Sequence, residues 1–182
     1  MQRTARNSLG IHMVVFTTIA LAIAFGVQRV GGAREYVEPV PAPPFTHQQP
    51  EAWINSPPLT WEALRGKVVL VDFWTFGCWN CYRSFPWLNS VEQRFGDQGF
   101  LVIGVHTPEF AHEKDRAKLI EQIREFELSH PLMMDNDYAY CRAIGHRYWP
   151  TFYLIASQGR FRASLIRHTH LVVPPPRKHA TQ

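Results

Sequence analysis

The sequence predicts one α/β domain in which strands and helices alternate along the chain. Val68 to Trp74 is a continuous run of β-branched and aromatic residues with one acid, as expected of a strand that is buried on both faces. This run leads directly into the pair Cys78 and Cys81, and the chain later forms two strand-like segments around Ser157-Gln-Gly159. With 182 residues, 46% of them hydrophobic, the chain can build one core of ordinary domain size with terminal extensions.

The elements follow from the spacing of the apolar residues. Leu119, Ile120 and Ile123 recur at helical spacing opposite many charged residues, which indicates an amphipathic helix. The predicted elements are, in chain order, a strand at Val68–Trp74, a helix at Trp79–Phe95, a strand at Phe100–His106, a helix at Ala111–Leu128, a short strand at Pro131–Met134, a helix at Asp137–His146, and strands at Thr151–Ala156 and Arg160–Ile166. Alternating strands and helices that end in a hairpin are typical of an α/β fold.

The N-terminal segment predicts a membrane anchor. No Lys, Arg, Asp or Glu occurs between Arg6 and Arg29, and Leu9 to Val27 is largely apolar, which is close to the roughly 17–25 residues that a spanning helix requires. Arg3 and Arg6 favour a cytoplasmic N-terminus and a domain on the far side of the membrane. Residues 1–34 are therefore predicted as a cytoplasmic stub and signal-anchor helix. A cleaved signal peptide is the alternative.

The rest of the chain divides by composition. Residues 35–58 contain seven of the fourteen prolines, a composition that blocks helices and predicts an extended linker. Residues 59–170 are expected to form the folded domain. Residues 171–182 are expected to be a flexible tail, because three consecutive prolines stop a helix.

The distribution of charge argues against a nucleic-acid partner. The formal net charge is +4, but Leu59 to His170 holds 13 Lys or Arg against 12 Asp or Glu, whereas the remainder holds 6 against 3. The excess positive charge is therefore in the terminal segments. A nucleic-acid surface would concentrate it on one face of the folded domain.

The two cysteines at Cys-x-x-Cys spacing suit thiol–disulfide exchange. Thr75-Phe-Gly77 ends the strand, so Cys78 falls at a helix N-terminus. Free backbone N–H groups and the helix dipole there stabilise a thiolate and can lower a cysteine pKa from about 8.5 to roughly 3.5–7.5. Cys78 is therefore the predicted nucleophile. Cys81, one turn later on the same face, is predicted to resolve the mixed disulfide.

Several spaced features resemble the thioredoxin superfamily. Asp72 matches the buried acid of the family, and Trp74 matches the tryptophan at its strand end. Pro86 matches the proline that kinks the active-site helix, and Trp149-Pro150-Thr151 matches the loop whose proline is cis in the family. Three further stretches resemble the exported or membrane-anchored TlpA-like group: Trp53-Ile-Asn-Ser56, Leu64-Arg-Gly-Lys-Val68 and Gly104-Val-His-Thr-Pro-Glu-Phe110. Within that group, the resemblance to the DipZ-type thioredoxin-like domain is especially close. The resemblance covers about residues 44–168.

The resemblance implies a thioredoxin fold, with a central mixed sheet flanked by helices and a first strand or hairpin from about Phe45. It implies disulfide exchange with client proteins, without cofactor or metal, in the periplasm or another extracytoplasmic space. A membrane electron donor of thiol–disulfide type would re-reduce the protein. The residues implied are Cys78 and Cys81 for exchange, Asp72 for proton transfer to or from Cys81, and Trp79, Trp149, Pro150 and Thr151 for client contact.

Other interpretations of the cysteine motif remain open. A zinc site would need a second ligand pair, but the remaining cysteine, Cys141, stands alone, and a purely structural disulfide is a further alternative. Thr75-Phe-Gly-Cys78 also fits the Thr-x-x-Cys of peroxiredoxins, although Val71 stands where their proline is expected. A non-enzymatic module that binds apo-cytochrome or a metal chaperone is the fourth alternative.

Five more residues with reactive or metal-binding side chains are expected to have ordinary roles. Cys141 is expected to be a small buried hydrophobe, His106 a polar loop residue and Glu109 a surface acid. His168 and His170 have no third metal ligand close in sequence.

Overall fold

The apolar run Val68–Trp74 forms the central strand of the sheet. The computed structural model describes residues 40–166 and the backbone of residues 169–172. The elements are β1 (Trp53–Ile54), β2 (Val68–Trp74), α1 (Trp79–Tyr82), α2 (Phe85–Phe95), β3 (Phe100–His106), α3 (Arg116–Glu125), β4 (Leu132–Met134), α4 (Ala139–Ile144), β5 (Thr151–Ile155), β6 (Phe161–Ile166) and β7 (Thr169–Val172). Within these residues, seven strands form one sheet in the order β1-β4-β3-β2-β5-β6-β7.

The sheet is mixed, as the resemblance implied. Strand β2 runs parallel to β3, with Trp74 opposite His106, and antiparallel to β5, with Phe73 opposite Thr151. Strands β5, β6 and β7 are joined as an antiparallel meander. The C-terminal ends of β2 and β3 and the N-terminal end of β5 therefore meet at one edge of the sheet.

Alternation along β2 divides the core between the two faces of the sheet. Val71 and Phe73 belong to a buried cluster with Phe45, Trp53 and Tyr140. On the opposite face, the buried cluster comprises Leu70, Trp74, Phe76, Cys78, Cys81, Phe85, Leu88, Val102, Leu119, Ile123, Leu128, Leu132, Met134 and Phe152. The cysteine pair is therefore part of a hydrophobic core and not an appendage to it.

The predicted helix at Trp79–Phe95 is two helices. Helix α1 ends at Tyr82, and α2 begins at Phe85 with Pro86 in its first turn. Proline has no N–H to donate to the carbonyl of Tyr82, so the helix cannot continue unbroken through this position. The expected kink at Pro86 is a complete break.

The predicted helix at Ala111–Leu128 is also divided. Residues Ala111–Lys114 form a 3₁₀ turn, and α3 covers only Arg116–Glu125. Asp115 separates the two with an extended backbone, and its carboxylate accepts from the N–H groups of Ala117 at 2.9 Å and Lys118 at 3.3 Å. Aspartate is a preferred residue for capping a new helix N-terminus in this way.

The segment that precedes β1 packs on the sheet. Pro41 forms an isolated bridge with Arg160, and Phe45 and Trp53 are 3% and 2% exposed. The ring of Phe45 lies 4.8 Å from that of Trp61, between centroids, in a stacked arrangement. At the other end of the domain, β7 includes Leu171 and Val172 as a strand.

The predicted anchor over residues 1–34 and the histidines at 168 and 170 lie outside the residues whose side chains are described. Among the helices that are described, none has the length and apolar character needed to cross a membrane.

We expect Gly104→Ala to lower the free energy of unfolding by about 1–3 kcal/mol, because overpacking displaces a filled core. A Cβ at Gly104 would lie 2.8 Å from Leu132 Cδ2 and 3.1 Å from Trp74 Nε1. Gly96→Ala is the control, since a Cβ there meets nothing within 4 Å. Urea denaturation measures both variants, and equal midpoints for the two would contradict the packing described for β3.

Candidate active site

Cys78 and Cys81 are linked as a disulfide at the end of β2, where the chain turns into α1. Their Cα atoms lie 5.3 Å apart. The backbone N–H of Cys78 donates to the carbonyl of Thr75 at 3.2 Å, which closes the turn. Cys78 is the N-cap of α1, and its Sγ accepts from the N–H of Cys81 at 3.2 Å. Cys78 is 8% exposed and Cys81 is 0% exposed, so Cys78 is the more accessible residue of the pair.

Asp72 is buried on the cysteine side of the sheet. It alternates with Leu70 and Trp74, whose side chains pack in the cluster that contains both cysteines. Asp72 is 1% exposed, and its Oδ1 accepts no hydrogen bond among the described residues. Burial without a compensating partner raises the pKa of Asp72 from 3.8 to about 8. The carboxyl group is therefore able to exchange a proton near neutral pH.

The Trp149–Pro150 loop lies at the same edge of the sheet. Its peptide bond is cis, as the resemblance implied. Trp149 Nε1 donates to the carbonyl of Thr107 at 3.1 Å, which joins the loop to the end of β3. Thr151 is buried, and its hydroxyl donates to the carbonyl of Tyr148 at 2.5 Å, so this side chain supports the loop from within.

Aromatic side chains are exposed near the cysteines. Trp79, directly after Cys78, is 71% exposed. Tyr148, two residues before Pro150, is 58% exposed, and Phe110, after β3, is 59% exposed.

His106 differs from its sequence-based prediction. It was expected to be a polar loop residue, but it is the last residue of β3 and is fully buried. Its Nε2 lies 3.3 Å from Thr75 Oγ1, and its ring stacks on Phe76 with centroids 5.4 Å apart. Burial lowers the pKa of His106 to about 4, against an opposing effect of Glu113. The ring is therefore neutral at physiological pH.

Glu113 is a residue that the sequence analysis missed. It is 0% exposed, and its Oε2 accepts from the backbone N–H groups of Glu109 at 2.6 Å and Phe110 at 2.9 Å. In the sequence it is one of many charged residues in a predicted amphipathic helix, so no pattern separates it from the exposed ones. Glu109 is itself exposed, as expected.

Cys141 is buried, and burial raises the pKa of its thiol to about 11. This agrees with its expected role as a small core residue. The nearby carboxylate of Asp135 accepts from the N–H groups of Tyr140 at 2.9 Å and Cys141 at 2.8 Å. His47, Asp135 and Asp137 bring their ligand atoms within 4.8 Å of one another. The hydrogen bonds of Asp135 show that this cluster supports the start of α4.

Comparison with known proteins agrees with the fold and the cysteine motif. Residues 40–164 match the model of the AhpC/TSA family. The chain belongs to this family. Protein DipZ of Mycobacterium tuberculosis is 42% identical to it over 113 residues, which are 60% of this chain and 16% of DipZ. Thiol-disulfide oxidoreductase YkuV of Bacillus subtilis is 28% identical over 122 residues, which are 67% of this chain and 80% of YkuV.

Solved structures place the chain among thioredoxin-like folds. The thioredoxin-like superfamily protein SPOA0173 is 25% identical and superposes with a TM-score of 0.64 over 72% of this chain and 88% of that one. A thioredoxin-like protein in its oxidised form is 27% identical, with a TM-score of 0.61 over 76% of this chain and 86% of that one. The expected thioredoxin fold is confirmed.

We expect Asp72→Asn to flatten the pH dependence of stability in the disulfide form. Between pH 3.8 and about 8, folded Asp72 keeps a proton that the unfolded chain has lost. Unfolding then releases a proton, so the free energy of unfolding falls as pH rises, by up to about 1.4 kcal/mol per pH unit. Asparagine does not titrate, so the free energy of unfolding of the variant should rise relative to that of the wild type from pH 5 to pH 8.

Urea denaturation at several pH values measures this difference, with Asp97→Asn at an exposed site as the matched control. Parallel stability curves for wild type and Asp72→Asn would show that Asp72 does not hold a proton in the folded protein.

Proposed function

We propose that this protein is a thiol–disulfide oxidoreductase that passes electrons from the Cys78–Cys81 dithiol to disulfides in client proteins. The observation that carries the proposal is the disulfide at the start of α1, with its accessible sulfur on Cys78 and its enclosed sulfur on Cys81. This asymmetry is what a nucleophile and a resolving cysteine require. The similarity to YkuV, a protein named as a thiol-disulfide oxidoreductase, supports the same activity.

The exchange takes place in two displacements. The Cys78 thiolate attacks one sulfur of the client disulfide, forms a mixed disulfide and releases the first client thiolate. The Cys81 thiolate then attacks Cys78 Sγ, which forms the internal disulfide and releases the second client thiolate. Two electrons pass to the client. Cys81 must lose its proton before it attacks. The proposed acceptor is the ionised form of Asp72, which lies on the same face of the sheet and whose pKa of about 8 lets it take up a proton near neutral pH.

The client is proposed to bind across the Trp149–Pro150 loop. This loop is held by the bond from Trp149 Nε1 to Thr107, and Thr151 supports it from within. An extended client segment beside the loop would also contact the exposed ring of Trp79, next to the nucleophile. These residues determine where the client disulfide lies and do not take part in the electron transfer.

The proposed setting is outside the cytoplasm, with the domain tethered to a membrane by residues 1–34. Only the first part of the proline-rich segment 35–58 is proposed as the linker, because Phe45 and β1 belong to the folded domain. Arg3 and Arg6 before the uncharged run support this orientation, and the similarity to DipZ favours it. In such a compartment the disulfide of a reductant must be reduced again after each reaction, so the proposed partner is a membrane thiol–disulfide electron donor. The folded domain is proposed to begin near Val40 and not at residue 59, because Phe45 lies in its core and β1 in its sheet. The tail is proposed to follow β7, which ends at Val172. The proposed reaction needs no cofactor.

Peroxide reduction is the second candidate, because the chain belongs to the AhpC/TSA family and Thr75 stands three residues before Cys78. The hydroxyl of Thr75 lies 3.3 Å from His106 Nε2 and is paired with that ring, so the structure favours disulfide exchange. Consumption of hydrogen peroxide by the reduced protein distinguishes the two reactions.

We expect Cys78→Ser to abolish reduction of a disulfide substrate such as insulin, because the attacking sulfur is lost. Cys81→Ser should accumulate the mixed disulfide, because Cys78 still attacks but no thiol resolves the adduct. Cys141→Ser is the control, and it should keep at least half of the wild-type rate. Rate assays and mass spectrometry of trapped adducts measure these outcomes.

Trapping of clients on Cys78→Ser in place of Cys81→Ser would reverse the two roles. Full biological activity of the Cys78→Ser, Cys81→Ser double variant would indicate a binding module and reject the enzyme.

We expect the full-length chain to stay in the membrane pellet after carbonate washing of cells, because the uncharged run Leu9–Val27 is long enough to span. Fractionation followed by N-terminal sequencing measures this. A soluble mature species that begins near residue 25 or 34 would instead indicate a cleaved signal peptide.

A further inference from the structure

Glu113 places a buried carboxylate against the turn that precedes Cys78. The residue lies in the 3₁₀ turn Ala111–Lys114 and has no exposed surface. A Cβ built on Gly77 would overlap Glu113 Oε1 and would lie 3.3 Å from Glu113 Cδ. The carboxylate therefore contacts the residue directly before the nucleophile. The exchange steps given above leave Glu113 without a role.

The two oxygens of Glu113 have different environments. Oε2 accepts from the backbone N–H groups of Glu109 and Phe110, which tie the loop after β3 to the side chain. Oε1 is buried, and no hydrogen bond to it is found among the described residues. A buried carboxylate oxygen without a donor is costly, and such groups are concentrated at functional sites. The oxygen that lacks a donor is the one beside Gly77.

No cation balances Glu113 within the described part of the chain, since none of the ion pairs found there includes it. Glu113 contributes to the pKa shifts of three groups: His106 on β3, Tyr82 at the end of α1 and Glu109 in the preceding loop. Burial, with Glu113 as a further cause, raises the pKa of Glu109, and burial makes His106 neutral. Glu113 therefore affects the pKa of three neighbouring groups, and the described residues form no ion pair with it.

We propose that Glu113 is a positioning residue that holds the turn before Cys78 and increases the reducing power of the Cys78–Cys81 pair. This inference rests on the oxidoreductase function proposed above. A negative charge beside Gly77, one residue before Cys78, disfavours the Cys78 thiolate, whereas the disulfide is uncharged and is not affected in the same way. The reduced form is thereby destabilised relative to the disulfide. A dithiol whose reduced form is less stable gives up its two electrons more readily.

The same contact accounts for glycine at position 77. Any side chain there would displace the carboxylate, so Gly77 and Glu113 form a matched pair across the turn. Gly77→Ala therefore displaces the Glu113 carboxylate while leaving residue 113 itself unchanged.

The test is the redox equilibrium of the full chain with reduced and oxidised glutathione, for wild type, Glu113→Gln and Glu109→Gln. Glutamine keeps an acceptor for the two N–H groups and removes the charge. Glu113→Gln should shift the equilibrium at least tenfold toward the reduced protein, which corresponds to about 30 mV. Iodoacetamide labelling against pH should show a lower pKa for Cys78 in this variant. Glu109→Gln, at an exposed site in the same loop, should change the equilibrium less than twofold.

A folded Glu113→Gln variant within twofold of the wild-type equilibrium, or shifted toward the disulfide, would overturn the proposal. If Glu113→Gln does not fold, Gly77→Ala decides: a shift toward the reduced protein supports the inference, and no shift rejects it.

The glutathione equilibrium needs no client, so the two proposals can fail separately. A tenfold shift in a protein that reduces no client would keep the role of Glu113 and remove the client reaction. A wild-type protein that does not exchange with glutathione at all would reject both.

Discussion

The pairing of β2 with both of its neighbours is the constraint on which the site depends. Because β2 and β3 are parallel, their C-terminal ends lie side by side, and Trp74 pairs with His106. Because β5 is antiparallel to β2, its first residue, Thr151, pairs with Phe73 at the same edge. The cysteine turn, the loop after β3 and the Trp149–Pro150 loop are thus brought together from segments far apart in sequence. A change of register in either pairing would separate the cysteine turn from the Trp149–Pro150 loop, which is proposed to bind the client.

The buried polar groups at this edge differ in how the cost of their desolvation is offset. Asp72 is neutral up to a pKa of about 8, and His106 is neutral above a pKa of about 4, since burial disfavours the charged form of each. One oxygen of Glu113 instead accepts hydrogen bonds from two backbone N–H groups. The two carboxyl groups thus differ: Asp72 is proposed to exchange a proton with Cys81, whereas Glu113 is proposed to hold the turn before Cys78.

Much of this arrangement could be predicted from the sequence. Three features are local patterns, and the structure agrees with each. They are the apolar run of β2, the cysteine spacing and the position of Asp72 within this buried strand. The break between α1 and α2 is also local, but the helical periodicity on both sides of Pro86 concealed it.

His106 and Glu113 could not be predicted in the same way. Burial of His106 depends on how Phe76 folds back over the end of β3, and burial of Glu113 depends on the absence of a side chain at Gly77. Both are contacts between segments about 30 to 36 residues apart in the chain. Charge and periodicity in a single segment carry no information about them, so a polar residue in a predicted loop or helix is assigned to solvent by default.

The central claim is that the Cys78–Cys81 pair acts as a reductant, and its reduction potential tests this most directly. The measurement is the potential of the wild-type protein at pH 7 against a reference thiol–disulfide couple. Our account predicts a value close to that of thioredoxin, about −270 mV. A value close to about −120 mV, typical of a strong oxidant of protein thiols, would contradict it.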